Sequence, residues 1–349
     1  MKLPLSLTLG IAAVALLKTV DAGLAGCPKS LAIQLTNVFQ FGQIEFTYNS
    51  CVQDSSIGGY RAGIANFNTV DGSAWNVIKA YHKMTNDDDE FSKYDDAFQN
   101  NGKSSGTQNS DLFSGFCDTW ERASQNVNFQ WAQESILEKK YFQKSQSEAD
   151  DLGLELSISQ AQLYDAAISH GTSSKGSSLG GMIKATNKNI TTDILGSAGS
   201  ILNINGYEVN EIEWLKLFLQ VRSTYDSAPG AKASIASYSY MIDNMLSAYS
   251  NDDKKDRNVF NWGNKIDVLN DVGKPGDVTC TNTYSSLTAS PQVDDTTCNN
   301  YKGCDNDNDN DNGNDEGGAD DWWLFGSASS MHNIGTSLAI SMSAWYLVV

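Results

Sequence analysis

The amino-acid sequence predicts a mainly α domain between about residues 30 and 275. Three observations carry this. Apolar residues recur every three or four positions in five separate stretches. Proline, which interrupts helices, occurs only five times in 349 residues. The segments between the periodic stretches are rich in Gly, Ser and Asn, the residues of loops.

The stretches follow in order. Trp75, Ile78 and Tyr81 form a first helical stripe. Phe129, Ala132, Ile136 and Leu137 form a second. Leu154, Leu156, Ile158, Ala161, Leu163, Ala166 and Ile168 predict a long buried helix. Trp214, Leu215, Phe218, Leu219 and Arg222 predict another, opened by Glu211 and Glu213, whose charges suit the positive end of the helix dipole. Tyr238, Met241, Ile242 and Met245 mark the last. Asn100 to Asp111 and Gly171 to Gly181 read as loops.

The two ends read differently. Lys2, the apolar run Leu3–Leu17 and Val20-Asp21-Ala22 have the order of a signal peptide, with the mature chain starting near Gly23. The domain is therefore expected over 23–275. Thr, Ser, Asn and Asp then dominate, and 276–326 is an acidic linker. Its alternating Asp and Asn residues lack the Gly that a calcium loop needs at its sixth position, where a loop opened by Asp305 has Asn310. At the other end, the apolar stretch Ile334–Val349 is 16 residues long, short for a span of about 20. Small residues from Gly326 and a polar spacer precede it, the order of a glycolipid-anchor signal over 327–349. A secreted, surface-anchored protein is expected, touching membrane only through that lipid. Export makes disulfides the expected fate of the six cysteines, whose pairing the sequence leaves open. Neither Cys-x-x-Cys nor paired-His spacing appears, so no metal is expected. Asn189-Ile190-Thr191 is a glycosylation sequon and should lie at the surface.

Net charge is −18. Eight acidic residues lie in 305–321; the rest keeps 34 acidic against 24 basic residues, or −10. Such a surface repels nucleic acid and suits a polycation. No Gly-x-Ser-x-Gly elbow, phosphate loop or dinucleotide fingerprint appears, and no cofactor is expected. Oligomeric state is not legible.

Several segments then combine. Phe129-Gln130-Trp131-Ala132-Gln133 is followed by Tyr141-Phe142 and by Tyr164-Asp165-Ala166-Ala167-Ile168-Ser169-His170-Gly171. Ser178-Leu179-Gly180-Gly181 comes next, then Glu211-x-x-Trp214-Leu215-x-x-Phe218-Leu219-x-x-Arg222. In order and spacing these resemble the chitosanases of glycoside hydrolase family 46. The resemblance implies a lysozyme-like α+β fold, with two helical lobes flanking a substrate cleft and a small β region. It implies chitosan, or a related amino-sugar polymer, as partner. It also implies inverting hydrolysis, which needs an acid and a base carboxyl about 6.5–9.5 Å apart.

The catalytic positions depart from that pattern. The family's acid position falls on Gln40 and its base position on Ser56, in Ser56-Ile57-Gly58-Gly59-Tyr60-Arg61-Ala62-Gly63. Arg61 stands where the family has a water-holding Thr. Gln has no proton to give, and nothing in the sequence activates Ser56. Positioned proton transfer contributes about 10²–10⁴ in rate, so loss at both positions should leave little hydrolysis. Glu45, five residues after Gln40, would lie about 140° round a helix and is a poor substitute. Asp54, two residues before Ser56, points the same way along an extended segment and is the candidate replacement base. Tyr60, Arg61, Asp71 and His170 are candidate substrate contacts; Ser73 stands at the family's amino-sugar-binding Asp. Asp165 and Arg222 match a buried charge network, whose second Arg has no counterpart near Tyr238. Asp87, Asp88, Asp89 and Glu90 read as a solvated acidic loop. The sequence therefore predicts either a chitosanase or a non-catalytic, chitosan-binding pseudoenzyme.

Overall fold

A computed structural model describes residues 23–101, 110–196, 199–226 and 229–251, with two short strands at 265–266 and 278–279. The chain divides into two compact units, Met1–Asn300 and Tyr301–Val349; every described residue lies in the first. Both apolar ends, most of the linker and the sequon-free tail lie outside the described residues.

Helix α1 spans Gly26–Phe41 and is followed by a three-stranded antiparallel sheet: β1 (Cys51–Asp54), β2 (Gly59–Ala62) and β3 (Phe67–Asn68). Helices α2 (Ser73–Thr85), α3 (Asp95–Asn101), α4 (Phe116–Ala123) and α5 (Val127–Leu137) come next. A five-residue π-helical segment, Glu138–Phe142, joins α5 directly to α6 (Gln143–Leu152). Then follow α7 (Ser157–His170), α8 (Leu179–Lys188), the hairpin β4 (Ile201–Ile204) and β5 (Tyr207–Asn210), α9 (Glu211–Ser223) and α10 (Pro229–Asn251). Strands β6 (Lys265–Ile266) and β7 (Val278–Thr279) pair antiparallel. The expected domain boundary near 275 falls just before β7, which packs near α1.

Packing separates two groups of helices. Around the sheet, α2 packs on α5, and α4 on β1 and β2. Their core is aromatic: Phe67, Phe91, Phe113, Phe116, Trp120 and Phe129 are all fully buried. Trp120 and Phe129 meet edge to face at 4.8 Å, the arrangement the ring quadrupoles favour. The second group is α1 with α7 and α10, α6 with α7, and α8 with α9. Its core is largely aliphatic, with Leu31, Leu35, Ile158, Leu163, Leu179 and Leu215 buried. The continuous helix from α5 through α6 runs from the first group into the second. Helix α1 is buried all round from Leu31 to Phe39, as suits a central helix.

The five predicted stripes all fall on helices, with three adjustments. The long helix expected from Leu154 starts at Ser157, because Leu156 is extended (φ −84°, ψ 132°) and its N–H is taken by the Glu211 carboxylate at 2.9 Å. Of the expected loop 171–181, Leu179–Gly181 already belong to α8. The preceding loop lies so close that a Cβ at Gly181 would sit 2.1 Å from the Gly176 carbonyl oxygen. Helix α3 runs on through Asn101, and 102–109 of the expected loop lie outside the described residues. Asn189 is exposed just after α8, where a sequon can be reached.

Candidate active site

The β1–β2 hairpin carries the first cluster. Asp54 ends β1, opposite Gly59, and Gly58 takes the left-handed conformation (φ 68°) that the turn requires. Asp54 Oδ1 accepts hydrogen bonds from the Ser56 N–H at 2.8 Å and the Ser56 hydroxyl at 2.5 Å. This is the local turn that Asp side chains favour. Asp54 Oδ2 accepts from Arg61 Nε at 2.6 Å. The Ser56 hydroxyl and then Arg61 pull the Asp54 carboxyl down to about 2. Ser56 therefore does have a carboxylate partner, which its sequence neighbourhood did not reveal as a contact. Asp54 is ionised at neutral pH, but both of its oxygens are engaged.

The hairpin is pinned from behind. The Cys51–Cys117 disulfide ties β1 to α4, with Cα atoms 5.3 Å apart. Gln133 Oε1 accepts from the Ile64 N–H at 3.2 Å, and its Nε2 donates to the Tyr48 carbonyl at 3.1 Å. Trp120 Nε1 donates to that same carbonyl at 2.9 Å. Gly63 is needed here, since a Cβ would lie 2.2 Å from Gln133 Oε1 and φ is 69°. Gln133 was legible only as a motif residue; its work is to hold the hairpin.

Beside the hairpin, β2 pairs with β3 at Arg61–Asn68. Tyr60 is half-buried; its N–H donates to Thr69 Oγ1 at 3.0 Å and its ring packs on Phe116 at 5.4 Å. Asp71 is exposed, and its Oδ1 accepts from the Ser73 N–H at 2.8 Å and hydroxyl at 2.6 Å. Asp71 and Ser73, the two candidates for one binding role, thus form a single unit at the start of α2. Tyr141 joins them from the π-helical segment. Burial and then the Asp71 charge push its phenol well up, while a Ser73 hydrogen bond works the other way. π-Helical segments often mark functional sites.

The second cluster is centred on Arg222. Gln40, in the last turn of α1, donates from Nε2 to Ser169 Oγ at 2.9 Å. Ser169 Oγ also accepts from Arg222 Nη2 at 3.1 Å and donates to the Asp165 carbonyl at 3.0 Å. Arg222 Nη1 pairs with Asp165 Oδ2 at 2.7 Å, and Nε with Asp226 Oδ2 at 2.9 Å. Asp226 Oδ1 pairs with His170 Nε2 at 2.7 Å. Arg222 and Asp165 are both 0% exposed. Burial opposes the Arg222 charge, yet Asp165 and Asp226 hold it above its ordinary value. Ser234 donates to Asp165 Oδ2 at 2.6 Å. Tyr238 is buried beside the network, and burial and then the Asp165 charge push its phenol well up. Asp165 Oδ1 has no hydrogen-bond partner among the described residues.

Sequence reasoning missed Ser169 and Asp226. Ser169 had a signal, since it lies four residues after Asp165 on the same face of α7, whereas Asp226 lies past the end of α9 at Ser223 and reaches Arg222 from the segment beyond the helix. Glu45 is off the helix altogether. Gly42 closes α1 in the left-handed conformation, and Glu45 lies exposed in the loop beyond. The acidic loop is not wholly solvated either. The Asp89 side chain is 1% exposed and meets His82 Nδ1 at 2.6 Å, while Asp95 meets Nε2 at 3.0 Å.

The sequence profile of glycosyl hydrolase family 46 matches residues 34–234, a stretch that holds both clusters. The chain belongs to glycosyl hydrolase family 46. It is similar to the chitosanase of Bacillus subtilis (strain 168), with 30% identity over 201 residues, 58% of this chain and 68% of that one. It is 27% identical over 199 residues to the chitosanase of Nocardioides sp. (strain N106), covering 56% of this chain and 65% of that one. Among solved structures, native chitosanase from Bacillus subtilis MY002 superposes with a TM-score of 0.57 at 25% identity, over 72% of this chain and 98% of that one. The Gynuella sunshinyii family-46 chitosanase, solved with chitotetraose, gives 0.56 at 25% identity, over 63% and 90%. The fold is the helical, lysozyme-like one of that family, and the family-46 match covers the segments that carried the resemblance.

Proposed function

We propose that this chain binds chitosan, or a related amino-sugar polymer, at the family-46 site with little or no hydrolysis. One observation carries this reading: Gln40, which the motif resemblance assigns to the acid position, is an amide that donates to Ser169, so it has no proton to give a leaving oxygen. The base position is a Ser whose hydroxyl donates to Asp54. Two solved relatives bear on the ligand: one from Bacillus subtilis MY002 is described as complexed with 6 GlcN, and the Gynuella sunshinyii chitosanase with chitotetraose. An acidic chain of net charge −18 complements a protonated glucosamine polymer.

A second reading keeps residual inverting hydrolysis, with Asp54 as base, because Asp54 is an ionised carboxylate in contact with the family's base position. A reducing-end assay on chitosan with the purified protein separates the two. Salt-sensitive retention on chitosan with undetectable turnover supports binding. Turnover that disappears in Asp54→Ala supports the hydrolase instead. Export and lipid anchoring complete the proposal. The Cys51–Cys117 disulfide suits an oxidising compartment. Release of surface protein by a phospholipase that cleaves glycolipid anchors would test the attachment.

A further inference from the structure

We propose that Arg61 is an internal competitor for the cationic sugar, occupying the one carboxylate that the β1–β2 hairpin could offer to a protonated amine. The inference rests on the chitosan-binding reading and names the residue that tunes it. Between Cys51 and Ala62 the hairpin has a single acidic residue, Asp54, and a single basic one, Arg61. Arg61 lies opposite Val52 in the β1–β2 register, so it is diagonal to Asp54 across the strands. Diagonal neighbours are within reach of a long side chain. The guanidinium takes Oδ2, and Ser56 takes Oδ1 twice. No oxygen of Asp54 is left without a donor.

The pair is nonetheless open to the solvent. The Arg61 side chain is 37% exposed and that of Asp54 23%, and Val52, on the same face, is 50% exposed. An ion pair at this level of exposure is weak, because water and salt screen it. A glucosamine ammonium is also a cation with several N–H donors, and a polymer presents many of them close together. It can therefore displace Arg61, but only by first breaking the internal pair. Arg61 lowers affinity for the polymer and cancels the charge of the turn. It also stands over the carboxylate that a weak hydrolase would need as base.

The test is calorimetric titration of the purified full chain with glucosamine hexamer at a pH where its amines are protonated. Arg61→Thr keeps a strand-favouring side chain, and Arg61→Gln keeps the length without the charge. Both variants should bind more tightly, by about three- to ten-fold, the scale of one weak surface ion pair. Adding Asp54→Asn to Arg61→Thr should remove the gain. Equal or weaker binding by both single variants would overturn the proposal, as would a gain that survives in the double variant. Carbon-13 NMR of the Asp54 carboxyl gives an independent reading. Its midpoint should rise from about 2 in the wild type towards the ordinary carboxylate range in Arg61→Thr. An unmoved midpoint counts against Arg61 as the occupant, even if wild-type protein binds no hexamer. Absence of wild-type binding together with a moved midpoint would sink the chitosan reading alone.

Discussion

Gln40 differs from Glu by one amide, and that amide is used. Its Nε2 is a donor to Ser169 Oγ, which already serves Arg222 and the Asp165 carbonyl. A carboxylate in the same place would have to accept, so Ser169 must turn its proton round. Gln40→Glu alone supplies an acid without a base, and Ser56→Asp alone a base without an acid. We expect neither single variant to produce reducing ends from chitosan, and the double variant to do so. The expected gain is large, since each positioned proton transfer is worth about 10²–10⁴ in rate. A double variant no better than the wild type would count against the assignment of these two positions. Arg222 makes a different kind of prediction. It is 0% exposed and faces Asp165 and Asp226. Arg222→Met leaves both carboxylates buried without their cation, which costs about 3–5 kcal/mol. Urea unfolding should show the loss, and Asp226→Asn should lose less, because the Arg222–Asp165 pair survives.

Two elements are held by buried charges that periodicity does not reveal. At the C-terminal end of α2, His82 lies between Asp89 and Asp95, with Asp87 at 4.0 Å. Trp75 packs on its ring edge-on at 5.9 Å. The contacts fasten α2, the acidic loop and the start of α3 to one another. Burial works against the His82 charge, but the hydrogen bonds and charges of Asp89 and Asp95 prevail and raise it above its ordinary value. Burial likewise pushes the Asp87 carboxyl up, whereas His82 and Thr85 overcome burial at Asp89 and hold that carboxyl down. A raised His contributes its full stabilisation below the unfolded value of about 6.5 and loses it as pH rises through the folded value. The melting temperature should therefore fall as pH is raised above neutrality, and His82→Gln should flatten that fall. Parallel wild-type and variant melting curves across pH 5–9 would rule the clamp out as a source of pH dependence. Glu211 is the other case. Expected only as a helix-dipole charge at the start of α9, it also receives Leu156 N–H at 2.9 Å and Ser200 Oγ at 2.8 Å. It thereby sets where α7 begins.

At the scale of the molecule, a covalent link among the described residues reaches the candidate site. Cys51 and Cys117 are 66 positions apart in sequence and join β1 to α4. A disulfide typically stabilises a fold by about 2–4 kcal/mol, and loop closure over that length lies at the top of the range, chiefly by restricting the unfolded chain. Replacing both cysteines with Ala should lower unfolding free energy by that amount, read by denaturant titration. A change below about 0.5 kcal/mol would mean that the unfolded chain is already compact there.

The sequence by itself placed the helices with a clear apolar stripe, α2, α5, α7, α9 and α10, since a 3.6-residue period is a local property; α1, α3, α4, α6 and α8 were not predicted. It also determined the family, through ordered motifs, and the identity of the residues at positions 40 and 56. Ser169 was within its reach, because it shares a face of α7 with Asp165 four residues earlier, but Asp226 lies beyond the end of α9. Tertiary structure alone decided what those residues touch. Gln40 meets Ser169 across 129 positions, and Asp165 meets Arg222 across 57. Asp89 became a buried partner of His82 rather than a solvated charge. Arg61 acquired Asp54 only once the hairpin register placed them diagonally. Periodicity records which face a side chain takes, but hydrogen bonds and ion pairs act over a few ångströms. Which partner stands within that range is settled only when distant segments pack.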